Sequence, residues 1–167
     1  MFDFCDRSVA VLAKVLAVLG GVVLLGLIAV TTLSVSGRSL TAIGLDQIKG
    51  DFEIVELGVG LAIFFFLPWT QYNKGHARVD MFEPVFGKRL NAALDLLADL
   101  LILSIAYVLT WRLSLGTMDK LSFGETTFIL QYPIWQAYMG GVIGMVAFTL
   151  VSVFCVWRSL RGLRASL

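Results

Sequence analysis

The sequence predicts an all-α integral membrane protein of four transmembrane helices, with both termini cytoplasmic and short interfacial helical segments in its loops. Three observations lead there. First, 58% of the 167 residues are hydrophobic and only 15% are charged, where a soluble domain carries roughly a quarter charged and just under half apolar residues. Second, the excess is gathered into four continuous runs, 9–35, 52–69, 90–111 and 135–157. A helix needs about 20 mostly apolar residues to cross the hydrocarbon core, and runs that do not alternate at every second residue are helices rather than barrel strands. Third, Trp69, Trp111, Trp135 and Trp157 stand at run ends, as an interfacial aromatic belt requires.

The first run follows "MFDFCDRSVA", which has two acids and one arginine. Its apolar stretch is too long for a cleavable signal core, so it is expected to remain as an anchor, with length to spare for tilting or for extending beyond the lipid. A short mixed loop, "SGRSLTAIGLDQIKGD", leads to the second and shortest run. Loop two–three, Thr70 to Arg89, holds Gly75, Pro84 and Gly87 with an apolar patch at Val79, Met81, Phe82, Val85 and Phe86. That mixture suits a segment lying at the headgroups. The loop before the fourth run, "LSLGTMDKLSFGETTFILQY", is similarly mixed, and Pro133 fits the first turn of helix four, where its missing N–H costs nothing. One four-helix membrane domain over 1–167 is expected, with no sizeable soluble part in which to build an independent active site.

Orientation follows from the basic residues near helix ends. Arg7, Lys14, Lys74, Arg78, Lys88, Arg89, Arg158, Arg161 and Arg164 fall on one side; Arg38, Lys49, Arg112 and Lys120 fall on the other. The richer side is expected to be cytoplasmic. Cys5 and Cys155 then share that reducing side, so no disulfide is expected, and no Cys-x-x-Cys occurs. The net charge of +1 says nothing further about partners, and no nucleic-acid partner is expected.

Ionisable groups within spans are costly and so are functional candidates. Asp95 and Asp99 are four apart, on one face of helix three, with Asn91 a turn earlier. Asp99 lies roughly 13 Å into that helix, and Lys14 of helix one reaches a similar depth from the same side. An ion pair of Lys14 with Asp95 or Asp99, a proton or cation relay, and contact with another membrane protein are the three readings. Glu53 and Glu56, at the outer end of helix two, suit interfacial solvation or a pair with Arg38. The two acidic pairs sit at opposite ends and do not form one ion site. Gly140 and Gly144 make a G-x-x-x-G and Gly58–Ala62 a small-x-x-x-small pair, both spacings that let helices approach closely. Contacts within the chain and contacts with a partner are both open for these pairs, and the helix-four glycine face is the one guessed to meet a partner.

His76 is the sole histidine, which disfavours the two-histidine ligation of a membrane haem; a metal site would have only Asp80 nearby. Phosphate loops, nucleophile–base arrangements and zinc spacings are absent from the sequence. No catalytic residue and no cofactor are expected, and the chain reads as a non-enzyme.

Two stretches carry a family resemblance. "GHARVDMF", through Gly75, His76, Arg78, Val79 and Asp80, resembles the cytoplasmic signature of the small membrane subunit, DctQ-type, of tripartite ATP-independent periplasmic (TRAP) transporters. Ala77 stands where that pattern has a larger aliphatic residue. "GETTFILQYPIWQAYMGGVIG" is similar to the family's run into its last helix at Glu125, Thr126, Thr127, Leu130, Pro133, Trp135 and Tyr138. The resemblance implies an accessory subunit, in a bacterial inner membrane, of a sodium-coupled importer of organic acids. It would brace a large membrane subunit and help a periplasmic substrate-binding protein to dock. On this reading Lys74, Gly75, His76, Arg78 and Asp80 form a cytoplasmic latch: Gly75 turns the chain, Asp80 caps a short helix, and the basic groups meet membrane lipids or the partner. Glu125 to Tyr138 lie beside the docked binding protein. The alternatives are a stand-alone four-helix proton-coupled transporter using Asp99, and a membrane anchor of another complex.

Overall fold

The computed structural model describes residues 2–40, 47–75 and 87–166, without the side chains of 2–4, 88, 165 and 166. His76, Arg78 and Asp80 of the expected latch, with the rest of 76–86, lie outside the described residues. Among the described residues four helices follow in order: α1 (Phe2–Ser39), α2 (Asp51–Tyr72), α3 (Lys88–Phe123) and α4 (Ile134–Ser166). All four are long and apolar enough to cross a membrane.

Their 38, 22, 36 and 33 residues correspond to about 57, 33, 54 and 50 Å at 1.5 Å per residue. Only α2 matches the ~30 Å hydrocarbon thickness. The others outrun their apolar runs: α1 begins at Phe2 rather than Val9, α3 continues past Trp111 to Phe123, and α4 past Trp157 to Ser166. Hydropathy falls where the lipid ends, but a helix ends where a breaker stands, and "RLSLGTMDKLSF" and "RSLRGLRAS" contain no proline. The breaker of α3 is Gly124 at φ 62°. Its N–H donates to Leu121 O at 3.3 Å and that of Glu125 to Lys120 O at 3.4 Å, a Schellman closure. Pro133 stands one residue before α4, not inside its first turn.

The end of α2 uses the same closure with an unusual residue. Lys74 N–H donates to Gln71 O at 3.0 Å and Gly75 N–H to Thr70 O at 2.8 Å. The left-handed residue is therefore Lys74, at φ 52°, and not the expected Gly75. A side chain in this conformation costs about 1–2 kcal/mol, offset in part because the Lys74 ammonium bonds the Asp95 carboxylate at 2.7 Å.

The helices are arranged as an open row. Parallel helices α2 and α4 form the centre, α1 packs on α2 and touches the edge of α4, and α3 packs on α4. Helices α1 and α3 do not meet among the described residues. Alternating directions bring both termini to one end, the terminal end, where Tyr72 Oη donates to Asp6 at 3.1 Å and Arg158 to Tyr72 O at 3.0 Å. At the opposite end, the hairpin end, Ser34 Oγ donates to Asp51.

Small residues set these distances. A Cβ on Gly20 of α1 would lie 3.2 Å from Phe65 Cβ and 3.3 Å from Ala62 O, so the Gly58–Ala62 face serves α1. Gly140, Gly141 and Gly144 face Leu61 and Phe64 of α2. The glycine face of α4 is thus consumed within the chain, the first of the two readings, and not by a partner as guessed. At its centre a Cβ on Gly144 would stand 2.8 Å from Phe64 O. Phe64 is four residues before the buried Pro68, which has no N–H to give that carbonyl its usual helical partner. The bared carbonyl and the glycine lie against each other, and each explains the other. Further along, Thr110 Oγ1 bridges α3 to α4, 2.9 Å from Thr149 Oγ1 and 3.2 Å from Met145 O.

Candidate functional site

Polar side chains collect in two clusters, one at each end of the row. At the terminal end Asp99 is only 5% exposed. It accepts from Gln71 Nε2 of α2 at 3.2 Å and from Ser159 Oγ of α4 at 2.5 Å, so one carboxylate ties three helices. Gln71 is fully buried; its carbonyl Oε1 has no hydrogen-bond partner among the described residues, while its backbone carbonyl accepts from the Cys155 thiol at 3.6 Å. Arg158 lies 5.5 Å over the Tyr72 ring, and Trp69 stacks on Tyr72.

The expected Lys14 pair with Asp95 or Asp99 does not form. Asp95 takes Lys74 and Asp99 takes Gln71 and Ser159, whereas Lys14 is exposed on α1. The reason is the order of the row, since α2 and α4 stand between α1 and α3. Equal depth in the membrane does not make two helices neighbours.

At the hairpin end the loop between α3 and α4 folds back on itself. Thr126 bridges Pro133, Thr127 N–H donates to Tyr132 O at 2.9 Å, and Tyr132 N–H donates to Thr127 Oγ1 at 3.0 Å. Thr126 Oγ1 meets Gln131 Oε1 at 3.0 Å, with Gln131 in a left-handed turn at φ 55°. Ile134 N–H closes the base on Glu125 O at 3.1 Å, and the Glu125 carboxylate pairs with Lys120.

Glu53, in the first turn of α2, holds this hairpin down. Its carboxylate accepts from Ile129 N–H at 2.6 Å and from Leu130 N–H at 2.9 Å, and the residue is 8% exposed. Charge-assisted bonds of this kind are roughly twice as strong as neutral ones. Leu130 also caps Gly50, where a Cβ would come 2.6 Å from Leu130 Cγ; at φ 77° the position favours glycine on its own account. The expected Glu53–Arg38 pair is replaced by this clamp, and Arg38 Nε donates instead to Gln47 Oε1 at 2.9 Å. Glu56 is exposed and lines, with Glu53, Lys120, Thr126 and Tyr138, an open cleft of about 530 Å³.

Of the residues singled out by sequence, Glu125, Thr126, Thr127 and Pro133 are brought together by the hairpin, with Trp135 and Tyr138 half-buried on the first turns of α4. Sequence reasoning missed Gln71, Ser159, Lys120 and Gln131 and mistook the role of Glu53. Turn chemistry around "TTFILQYP" was the available signal for Gln131. Among the described residues no group of three or more His, Cys, Asp or Glu is placed to hold a metal ion, and both cysteines are free thiols.

Residues 27–162 match the family described as tripartite ATP-independent periplasmic transporters, DctQ component. Among curated proteins and among solved structures, none matches the chain. The family match begins within α1 and reaches the last turns of α4, and so takes in Glu53, Asp99 and the whole hairpin. With four membrane-spanning helices joined in this order, the chain belongs to the DctQ family and is a small membrane component of a TRAP transporter.

Proposed function

We propose that the chain is the fixed scaffold piece of a sodium-coupled importer of organic acids in a bacterial inner membrane, one four-helix domain with both termini cytoplasmic. It braces the large transport subunit, and its hairpin forms part of the periplasmic surface on which the substrate-binding protein docks. The observation that carries this reading is the Glu53 clamp. A loop free to sway would be a poor landing surface, whereas one pinned to a transmembrane helix by two charge-assisted bonds keeps a fixed height and tilt. The buried polar contacts serve the fold: Asp99 and Gln71 are spent on joining helices, which supports a bracing role over a transport role. Lys74 is half-buried on Asp95, so in the latch His76 and Arg78 are the residues that meet headgroups or the large subunit.

Purification of the tagged chain from mild detergent tests the reading. A large polytopic partner in near-stoichiometric amount is expected, held less well by Arg78→Ala and by Trp135→Ala. A chain that purifies alone as a stable dimer would overturn it. Transport by a stand-alone dimer would need an acidic group at the dimer surface, and Asp99 is turned inward. Asp99→Asn, which keeps the shape and can still bond Gln71 and Ser159, is therefore expected to leave substrate uptake by the reconstituted assembly within about twofold of wild type, as a conservative change at a satisfied site does. Abolished uptake with normal assembly would assign the carboxylate a part in ion coupling.

A further inference from the structure

Lys14 is among the charged groups that serve neither cluster. Lys14 stands on the exposed face of α1, two turns into the membrane from Arg7. Among the described residues neither cation forms an ion pair. The neighbouring acid, Asp6, is taken up by Tyr72, and Ala13 beside Lys14 is buried against Val151 and Cys155. Arg7 and Lys14 therefore lie on one outward stripe, seven residues or about 10 Å apart along the axis. Helical Cα–Cβ bonds tilt toward the N-terminus, here toward Arg7, and a lysine stem extends in that direction to reach the polar interface.

Between and below the two cations runs a shallow furrow, shared by two adjoining hollows of about 470 and 270 Å³. Among the described residues its lining comes from α1, chiefly Val11, Val15 and Val18, each half or more exposed. We infer that this stripe binds one anionic phospholipid, with its phosphate between Arg7 and Lys14 and an acyl chain along Val11, Val15 and Val18. The occupant follows from the chemistry. A cation stranded among valines needs an anion at interfacial depth, and a flexible acyl chain can follow the exposed Val11, Val15 and Val18 in the hollows below it. The inference needs only the membrane-spanning character of α1, and stands or falls apart from the scaffold reading.

Native mass spectrometry of the full chain in mild detergent, titrated with phosphatidylglycerol and separately with phosphatidylcholine, tests it. Wild type is expected to retain one phosphatidylglycerol in preference. Lys14→Gln should weaken that binding roughly fivefold, as loss of one cation at an anionic surface does, and Arg7→Gln with Lys14→Gln roughly 20-fold. Lys14→Arg should retain it, and phosphatidylcholine binding should be unchanged throughout. Equal binding of the two lipids by wild type, or no change in Lys14→Gln, overturns the site. So does a Lys14→Gln chain that keeps its phosphatidylglycerol but loses a co-purifying membrane protein, because Lys14 would then belong to a protein contact. Loss of both lipids together would mark a folding defect and count equally against the site.

Discussion

Glu53→Ala frees the hairpin between α3 and α4, and the amides of Ile129 and Leu130 then exchange with deuterium far faster than in the wild-type chain. Both N–H groups end on one carboxylate, at 2.6 and 2.9 Å. A hydrogen bond to a charged group contributes about 1.5–3 kcal/mol. Losing two, with partial rescue by water, should lower the local opening free energy by about 3 kcal/mol, or roughly 100-fold in protection. Glu53→Gln keeps one oxygen in place and should fall between. The transmembrane packing of α2 on α4 lies further along both helices, so the loss should stay local to 125–133. If the binding protein docks on this hairpin, the same variant lowers uptake while leaving assembly with the large subunit intact. Unchanged exchange at Ile129 and Leu130 would remove the clamp, and with it the observation supporting a rigid docking surface.

Gly144→Ala is expected to be the most damaging single-methyl change in the helix interfaces. The new Cβ would stand 2.8 Å from Phe64 O and 2.9 Å from Phe64 C, and backbone cannot swing aside as a side chain can. Helices α2 and α4 must separate locally, at the cost of about 1–3 kcal/mol usual for overpacking, against less than 1 kcal/mol gained from alanine's better helix propensity. Gly140→Ala meets Leu61 Cδ1 at 2.7 Å, a flexible tip, and should cost less. Gly26 has nothing among the described residues within 4 Å of an added Cβ, so Gly26→Ala should be neutral or slightly stabilising. Thermal unfolding in detergent should rank them Gly144→Ala below Gly140→Ala below Gly26→Ala. A Gly144→Ala chain as stable as wild type would show that the α2–α4 contact is looser than described.

The spans were legible because the bilayer imposes its thickness on composition: a run of about 20 apolar residues is visible with no knowledge of neighbours. What surrounds each span was not. Lys14, Asp95 and Asp99 share a depth, and depth alone suggested an ion pair; which helix stands beside which is decided by the shapes of the faces, spread over Gly20, Gly58, Leu61 and Gly144. Glu53 was misread for a different reason. Its partners are the backbone amides of Ile129 and Leu130, and an amide leaves no mark on residue identity. The family resemblance, by contrast, rested on two stretches: "GHARVDMF", which apart from Gly75 lies outside the described residues, and the run through Glu125, Thr126, Thr127 and Pro133, which the fold does gather into one compact turn. The open row left Lys14 on the outer face of α1, away from the acids of α3.

The same row also divides the chain in time. Because α1 packs chiefly on α2 and α3 on α4, each adjacent pair finds its partner from nearby in sequence, and such local contacts form fast. Synthesis therefore delivers two helical hairpins to the bilayer in succession, each able to enter as a closed unit. Their union is a separate and later event, the meeting of α2 with α4, and it turns on the bared carbonyl of Phe64 finding Gly144. A substitution there would leave insertion intact and weaken the joining of the two halves, leaving them apart for longer and more open to the quality-control proteases of the membrane.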